Sequence, residues 1–242
     1  MSAPRVFASS PCDVGAQIEL ERDDARHLAL VLRMKLGQAI TIVAGGKPWS
    51  ARLSEVSHDR VVATVVEREV DGASEPPMEI AVLQAVPKGT KMDDIVEKAV
   101  ELGASRIVPV RCARSYGGDS ANKLERWRRI ARSAAQQSRR LVVPDVEQPV
   151  RFSDAITRFT VTSQVLVAHE RAPHGSLAAA LRTNASRPIA LAVGPEGSFT
   201  DDELRLAHDA RCDIVSLGTT ILRTETAAAA MLAAVAALLG WW

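Results

Sequence analysis

Two stretches of the sequence combine glycines with charged and hydroxyl side chains, the residue types that hold ligands and act on them. The first is VGPEGSFTDDE, residues 193–203, in which an apolar run ends in a glycine-rich loop and a helix begins. The second is SLGTTILRTETAAAA, residues 216–230, which repeats this order and carries Arg223 and Glu225 among threonines. At one edge of a sheet, two such loops would form a crevice with an arginine and a carboxylate available for chemistry.

The first loop lacks the features of a phosphate site. A helix start attracts phosphate when its free backbone N–H groups face the ligand, but Thr200 and Glu203 have capping-box spacing and predict that those groups are already satisfied. Asp201 and Asp202 add negative charge, and neither a G-x-G-x-x-G pattern nor a lysine-bearing P-loop is present. The loop, with Glu196 pointing out of it, therefore favours a ligand that lacks phosphate and carries positive charge.

A purely structural interpretation stays open for both loops. The glycines of the first loop also suit a simple turn between a strand and a helix. In the second loop, Arg223 and Glu225 have the charges to pair with each other, and Thr224 or Thr226 is a suitable residue type to cap the last helix.

Positive charge is concentrated in one segment of a nearly neutral chain, whose formal net charge is +1. Residues 111–140 carry nine basic side chains and two acidic ones. The basic ones are Arg111, Arg114, Lys123, Arg126, Arg128, Arg129, Arg132, Arg139 and Arg140. Such a patch predicts that a polyanion, most commonly one with phosphates, binds there. The alternative is a solvated helix face whose charges pair with acids elsewhere.

The composition is that of an ordinary folded protein, because 47% of the 242 residues are hydrophobic and 24% are charged. Three widely separated cysteines, Cys12, Cys112 and Cys212, predict reduced thiols, with neither disulfides nor a metal site. The start, MSAPRVF, lacks the apolar core of a secretory signal, which predicts a cytoplasmic protein. The longest uncharged apolar run, residues 227–239, is shorter than the ~20 residues that span a membrane, so no membrane association is expected.

Two domains are predicted, residues 1–72 and 78–242. The first contains three strand-like runs, QAITIVAGG, ARLSEV and RVVATVVEREV. In its one helical segment, DDARHLALVLRMKLG, three apolar residues share a face: Leu28, Val31 and Leu32. Gly37 is expected to end this helix. DGASEPP, residues 71–77, breaks all periodicity and marks the boundary.

In the second domain, strand-like and helical runs alternate, which predicts a parallel sheet covered by helices. The strand-like runs are residues 80–86, 106–110, 165–168, 189–193 and 214–217. The helical runs are residues 92–102, 123–138, 177–182, 201–210 and 226–239. Ligands of such sheets bind at the carboxyl ends of the strands, where both glycine loops are expected.

The two loops together resemble the signature of a known family, the RsmE-type ribosomal RNA small-subunit methyltransferases of the SPOUT class. GPEGSFTDDE followed by SLGTTILRTETAA carries most of the resemblance. PKGTKMDDIVEKAVELGASRIVPVRCARS, KLERWRRIARSAAQQSRRLVVPDVEQPV and RHLALVLRMKLGQAI are similar to the family pattern in order and spacing. The resemblance therefore spans nearly the whole chain.

The resemblance implies an α/β protein with an N-terminal PUA-like β-barrel for RNA and a C-terminal SPOUT α/β domain with a deep trefoil knot. It implies S-adenosylmethionine (SAM) as the methyl donor and ring nitrogen 3 of a uridine in 16S ribosomal RNA as the acceptor. The implied partners are 16S ribosomal RNA or the small ribosomal subunit, and a second copy of the chain in a homodimer.

By the same resemblance, both loops hold the cofactor, largely through backbone groups. The cofactor-binding residues are Gly194, Pro195, Glu196, Gly197, Ser216, Leu217, Gly218, Ile221 and Leu222. Arg223 is expected to stabilise the anion that forms when the uracil nitrogen loses its proton, and Glu225 to orient the reacting groups or accept that proton. The residues expected to line the RNA path are Arg26, Arg33, Arg114, Lys123, Arg126, Arg129, Arg139 and Arg140.

The chain departs from the family pattern at one place in the first loop and at one place in the second. The family usually has glycine at Ser198 and proline-arginine at Thr219-Thr220. Serine suits its position where the local backbone does not require a positive φ. The missing arginine removes a charge that would have been available to RNA, so Thr220 is not a predicted catalytic residue.

Two other functions stay open at the level of sequence. A noncatalytic RNA-binding or ribosome-assembly protein would use the β-rich domain and the basic segment, with the loops as simple turns. A SPOUT methyltransferase acting on transfer RNA would bind the same cofactor. Affinity for the cofactor separates the first of these from an enzyme, and the choice of RNA substrate separates the second.

Overall fold

The structure is a computed structural model that describes residues 3–58, 60–69, 75–116, 121–170, 172, 177–183 and 187–241. The chain forms two compact units. The first unit is Met1–Glu75 with Ala135–Val142, and the second is Pro76–Ala134 with Val143–Trp242. Residues 71–74 of the predicted linker lie outside the described residues.

The first unit is built on a five-stranded sheet. Its strands are β1 (Arg5–Ala8), β2 (Gln17–Glu19), β3 (Ala39–Ala44), β4 (Lys47–Val56) and β5 (Val61–Arg68), in the order β1-β3-β4-β5-β2. β3, β4 and β5 are the three strands predicted from the sequence, and they pair antiparallel. Alternate residues of these strands, such as Ile40, Ile42 and Leu53, are buried in one apolar core.

The helical segment of the first unit is shorter than predicted. Helix α1 (Arg22–Arg26) is followed at once by a single π-helical turn (His27–Val31), in which the Leu32 N–H donates to the His27 carbonyl. A π turn adds one residue to the helical repeat, so the apolar spacing no longer keeps its residues on one face. Leu28 is buried, whereas Val31 is 66% exposed and Leu32 is also exposed, so the predicted common face is wrong.

Residues 135–142 belong to the first unit through specific polar contacts. Gln136 Nε2 donates to Asp24 Oδ1 at 2.7 Å. The Arg140 guanidinium is only 9% exposed and binds Glu75 Oε2 through two nitrogens, at 2.6 and 2.7 Å. The charge of Arg140 is therefore satisfied inside this unit.

The second unit is built on a parallel sheet, as the alternation of strands and helices predicts. Its strands are β6 (Ile80–Ala85), β7 (Arg106–Arg111), β8 (Asp145–Val146), β9 (Val150–Arg151), β10 (Gln164–Ala168), β11 (Ile189–Val193) and β12 (Asp213–Val215). Their order is β12-β10-β11-β6-β7-β8, with β9 also paired to β7, and every pair is parallel.

Helices cover this sheet. They are α2 (Lys91–Glu101), α3 (Ala121–Gln137), α4 (Phe152–Thr162), α5 (Leu177–Thr183), α6 (Asp201–Asp209) and α7 (Thr224–Leu238). Helices α4 and α6 pack with one set of alternating strand residues, including Ala81 and Leu83 of β6. Helix α7 contacts α2, α5 and β11. Helix α4, FSDAITRFTVT, was not predicted, because its β-branched residues have low helix propensity and burial against the sheet decides its conformation.

Candidate active site

A cleft of about 400 Å³ lies where β10 and β11 end, beside the loop that follows β12. Its lining residues are Lys91, Ala168, His169, Glu170, Val193, Gly194, Pro195, Glu196, Ser198, Leu217, Thr220, Ile221, Leu222, Arg223, Thr224 and Ala227. Both glycine loops contribute to it. The crevice predicted at the carboxyl edge of the sheet is therefore present.

The predicted cofactor residues fall into two groups. Six of them line the cleft: Gly194, Pro195, Glu196, Leu217, Ile221 and Leu222. The other three shape the loops without lining the cleft. The Ser216 hydroxyl accepts from the Gly218 N–H at 3.2 Å and donates to the Gly218 carbonyl at 3.0 Å. The Gly197 carbonyl accepts from Arg114 Nη1 at 2.7 Å.

The start of α6 has the predicted capping box. The Thr200 hydroxyl accepts from the Glu203 N–H at 3.2 Å, and Glu203 Oε2 accepts from the Thr200 N–H at 2.8 Å. Glu203 Oε1 also accepts from the Ala113 N–H at 2.8 Å. The box satisfies the N–H groups of Thr200 and Glu203 at this helix start, and the three acids of the first turn add negative charge.

The Glu196 side chain is not free but is bonded to residues at and just before the start of α2. Its carboxylate accepts from the Lys88 N–H at 3.2 Å and from Lys91 Nζ at 3.0 Å. Partial burial raises the pKa of Glu196, but the bonds from Lys91 and from backbone N–H groups outweigh it, so that the pKa lies below its usual value. Lys91 Nζ is also 3.6 Å from Glu225 Oε2, so one ammonium contacts a carboxylate from each loop.

Arg223 is the N-cap residue, immediately before α7, and it lines the cleft. Its side chain is exposed, and within the described part of the chain its guanidinium has no hydrogen-bond or ion-pair partner. Glu225 pairs with Lys91, not with Arg223, so the alternative in which these two residues pair is wrong. The guanidinium is thus available to a ligand in the cleft.

Neither threonine caps α7. This helix has no side-chain hydrogen bond at its start, and Thr226 is exposed. The Thr224 hydroxyl instead donates to the Gly194 carbonyl at 2.6 Å and accepts from Gln84 Nε2 at 2.9 Å. The first turn of α7 is therefore bonded to the first glycine loop.

Ser198 occupies a position that favours glycine. Its φ is +60°, in the left-handed region, so the condition under which serine would suit this position is not met. The Ser198 hydroxyl donates to Glu170 Oε2 at 3.0 Å. This bond links the rim of the first loop to the segment after β10 and offsets part of the backbone cost.

The predicted RNA-binding residues are distributed over both units. In the first unit, Arg26, Arg33 and Arg139 are exposed. Arg140 is buried and bound to Glu75, so its inclusion among the RNA-binding residues is wrong.

In the second unit, Lys123, Arg126 and Arg129 are exposed on α3. Arg126 Nη2 lies 2.6 Å from Asp93 Oδ2, and Arg114 is bonded to the first glycine loop. The solvated-face alternative for this segment is thus realised for part of the charge, since Arg126 pairs with an acid outside the segment.

Among the roles that the sequence did not predict are those of Gln84, Lys91 and Thr224, whose polar contacts build the site. Gln84 had a local signal, because it is the one polar residue in the buried run IAVLQA of β6. Lys91 contacts Glu196, more than a hundred positions away in the chain, and Thr224 contacts Gly194, about thirty positions away. No local sequence pattern reports such pairs.

All three cysteines are free. Burial raises the pKa of the Cys112 and Cys212 thiols to about 12, which suits the predicted unreactive role. Across the described residues, no group of three or more histidine, cysteine, aspartate or glutamate side chains is placed to hold a metal ion. No helix in the described ranges has the length and apolarity to cross a bilayer.

Comparison with known proteins identifies the family. The family described as RNA methyltransferase domain matches residues 74–236, and the one described as RNA methyltransferase PUA domain matches residues 20–66. Ribosomal RNA small subunit methyltransferase E of Mycobacterium tuberculosis is 34% identical over 251 aligned positions, covering 100% of this chain and 94% of that protein. The chain belongs to the ribosomal RNA small subunit methyltransferase E family.

Other members agree with this assignment. The Synechocystis sp. protein of the same name is 34% identical, with 93% of this chain and 75% of that protein covered. A crystal structure of the methyltransferase E of Neisseria gonorrhoeae bound to SAM has a TM-score of 0.91 and 33% identity, with 98% of each chain covered.

The resemblance found in the sequence is confirmed, and so is the predicted fold class, a PUA-like domain followed by a SPOUT α/β domain. The trefoil knot, which belongs to the predicted class, stays a prediction for this chain.

Proposed function

We propose that this protein transfers a methyl group from SAM to ring nitrogen 3 of a uridine in 16S ribosomal RNA. Membership of the methyltransferase E family supports the reaction class, and the relative from Neisseria gonorrhoeae was crystallised with SAM. The observation that carries the proposal is the cleft that both glycine loops share, with the guanidinium of Arg223, which has no partner among the described residues, in its lining.

The residues of the cleft fit SAM. A volume of about 400 Å³ is in the range of small-molecule sites. Val193, Leu217, Ile221 and Leu222 offer apolar surface to adenosine and to the methionine chain. The closed, acidic start of α6 suits a ligand that has a sulfonium and no phosphate. Backbone groups of residues 194–197 and 216–222 would hold it.

The acceptor chemistry assigns a role to Arg223. SAM supplies an electrophilic methyl group, but the uracil imide nitrogen attacks only after it loses a proton. The resulting anion spreads over two carbonyl oxygens. A guanidinium fixed beside those oxygens stabilises the anion as an oxyanion hole does, a contribution that is typically worth about 2.7–4 kcal/mol.

Glu225 is the second catalytic residue of the proposal. It lies two residues after Arg223 in the first turn of α7, and Lys91 lies 3.6 Å from its Oε2 atom. That oxygen is buried and has no hydrogen-bond partner in the described part of the chain. A carboxylate held in this way is suited to orient the base or to accept its proton.

The exposed basic residues are the proposed contacts to RNA phosphates. They are Arg26, Arg33 and Arg139 in the first unit and Arg114, Lys123, Arg126 and Arg129 in the second. If they bind phosphates, the affinity for RNA falls steeply with salt, with a slope of roughly −0.7 to −0.9 per contact on a double-logarithmic plot. A flat salt response would contradict this assignment. The homodimer and the cytoplasmic location belong to the same proposal.

Methyl transfer from labelled SAM to isolated small ribosomal subunits, compared with free transfer RNA, tests the proposed substrate. We expect label in 16S RNA, and nuclease digestion followed by chromatography should identify 3-methyluridine. If only transfer RNA becomes labelled, the proposed substrate is wrong and transfer RNA is the substrate instead. Absence of calorimetric binding of S-adenosylhomocysteine (SAH) would instead point to a noncatalytic assembly protein.

A further inference from the structure

Gln84 is a buried polar side chain at the end of a strand that is otherwise apolar. It has no exposed surface (0%) and lies on the central part of the sheet in β6. Its Nε2 atom donates to the Ala85 carbonyl at 2.9 Å and to the Thr224 hydroxyl at 2.9 Å. Its Oε1 atom is buried with no hydrogen-bond partner among the described residues. A partly satisfied buried amide costs free energy, so Gln84 is a poor choice for a strand whose only task is packing.

Thr224 passes the contact on to the first glycine loop. Thr224 is buried, with 6% of the residue exposed. Its hydroxyl accepts from Gln84 and donates to the Gly194 carbonyl at 2.6 Å. A hydroxyl has one proton, and the bond to Gly194 uses it. The reversed amide of Gln84 would place Oε1 against Thr224 with no proton left to share, so the orientation with Nε2 toward Thr224 satisfies both bonds.

We propose that Gln84 and Thr224 are positioning residues that couple the two glycine loops. The relay runs from β6 through the first turn of α7 to the carbonyl that begins the loop 194–197. It fixes this carbonyl relative to Thr224, which lies between Arg223 and Glu225 in the chain. Gln84 does not line the cleft and acts through Thr224. The inference rests on the proposed function for the identity of the ligand.

Thr224→Val tests the relay, because it keeps the side-chain shape and removes the hydroxyl. We expect the dissociation constant for SAH, measured by calorimetry, to rise about tenfold, equivalent to about 1.4 kcal/mol. In the protein without ligand, we expect the amide hydrogens of residues 196–199 to exchange roughly five times faster, since the loop loses its anchor. Thr224→Ser keeps the hydroxyl and should restore both values to within about threefold.

Thr226→Val is the matched control, since it makes the same chemical change at an exposed position two residues along α7. It should leave SAH affinity and loop exchange at the wild-type values. Gln84→Leu should weaken SAH binding by about threefold and add nothing when combined with Thr224→Val, because both changes break one chain of bonds.

The inference is overturned if Thr224→Val folds and matches wild type in both affinity and exchange, or if Thr226→Val has the same effect. Should Thr224→Val not fold, the Gln84→Leu and Thr224→Ser proteins decide the question by the same two measurements. If wild type itself does not bind SAH, the proposed function fails, whereas the exchange comparison still shows whether the loops are coupled.

Discussion

The two helices that follow the glycine loops begin in opposite ways. Helix α6 is capped by its own side chains: the Thr200 and Glu203 box engages the N–H groups of these two residues, and the first turn carries three acids. Helix α7 has no side-chain cap, because its N-cap residue is Arg223, whose guanidinium has donors and no acceptor for the first N–H groups. An uncapped helix start has positive character, whereas a capped acidic start does not. The α7 start, which contributes Arg223 and Thr224 to the lining of the cleft, therefore favours anions, whereas the α6 start does not.

This difference matches the two charges of the proposed reaction. The donor is a cationic sulfonium, and the acceptor becomes an anion as its proton leaves. A site with uniform charge would favour one of them at the expense of the other. The contrast between α6 and α7 can be tested by changing each helix start and the lysine that joins their loops.

The largest effect is expected at the α7 end. Arg223→Ala should lower the kcat of methyl transfer by about 10²–10³-fold, because it removes the donor that stabilises the uracil anion. The dissociation constant of SAH should change by less than about threefold. The matched control is Arg205→Ala, which removes an exposed arginine of α6 that pairs with Asp202 in the same helix. Unchanged turnover of the Arg223 variant would refute the assigned role.

Opening the α6 end should affect stability rather than turnover. Thr200→Ala removes the cap and should lower the free energy of unfolding by about 1 kcal/mol, measured by urea denaturation. Thr226→Ala changes an exposed threonine of α7 that caps nothing, and it should stay within about 0.5 kcal/mol of wild type. If both substitutions lower the free energy of unfolding by the same amount, the distinction between a capped and an uncapped helix start is wrong.

Lys91→Met removes the cation that contacts carboxylates of both loops. The cleft then loses one positive charge, which favours the cationic SAM over the neutral SAH. We expect the ratio of the SAH to the SAM dissociation constant to rise about two- to fivefold, as one unit charge acting across a solvated cleft would produce. Calorimetry with both ligands measures this ratio. A ratio that falls would show that Lys91 acts through loop geometry and not through charge.

The smallest effect concerns pH. Because the pKa of Glu196 is lowered in the folded protein, its stabilising contribution is present above its unfolded pKa and is lost as pH falls through its folded value. The stability difference between wild type and Glu196→Gln should therefore be constant above about pH 5 and shrink at lower pH. Unfolding by urea at pH 3–7 measures it. In a Lys91→Met background the difference should be smaller, since the largest bond that lowers this pKa is gone; an undiminished difference would assign it to the backbone N–H groups.

The sequence predicted those features that depend on local spacing. The Thr200 and Glu203 box, the approximate bounds of the predicted strands and the alternation of strands and helices along the second unit all follow from neighbours a few positions apart. The same holds for the placement of both loops at one edge, because parallel strands must end there.

Features that depend on distant partners were missed or wrong. Thr224 was expected as a possible helix cap, but its hydroxyl is used by Gln84 and Gly194, which are far away in the chain. The sequence places Arg140 among the RNA contacts, but its side chain is buried and paired with Glu75. In each case a tertiary contact competes with the local preference of the residue and has the stronger effect.

The closed start of α6 also bears on selectivity among cellular metabolites. Adenosine is the common moiety of SAM and of ATP, so an adenosine pocket alone would admit both. The acidic first turn begins three residues after Ser198, which lines the cleft, and we expect its charge to disfavour a triphosphate tail. We therefore expect occupancy of the site to follow the supply of methyl donor and to be insensitive to the energy charge of the cell.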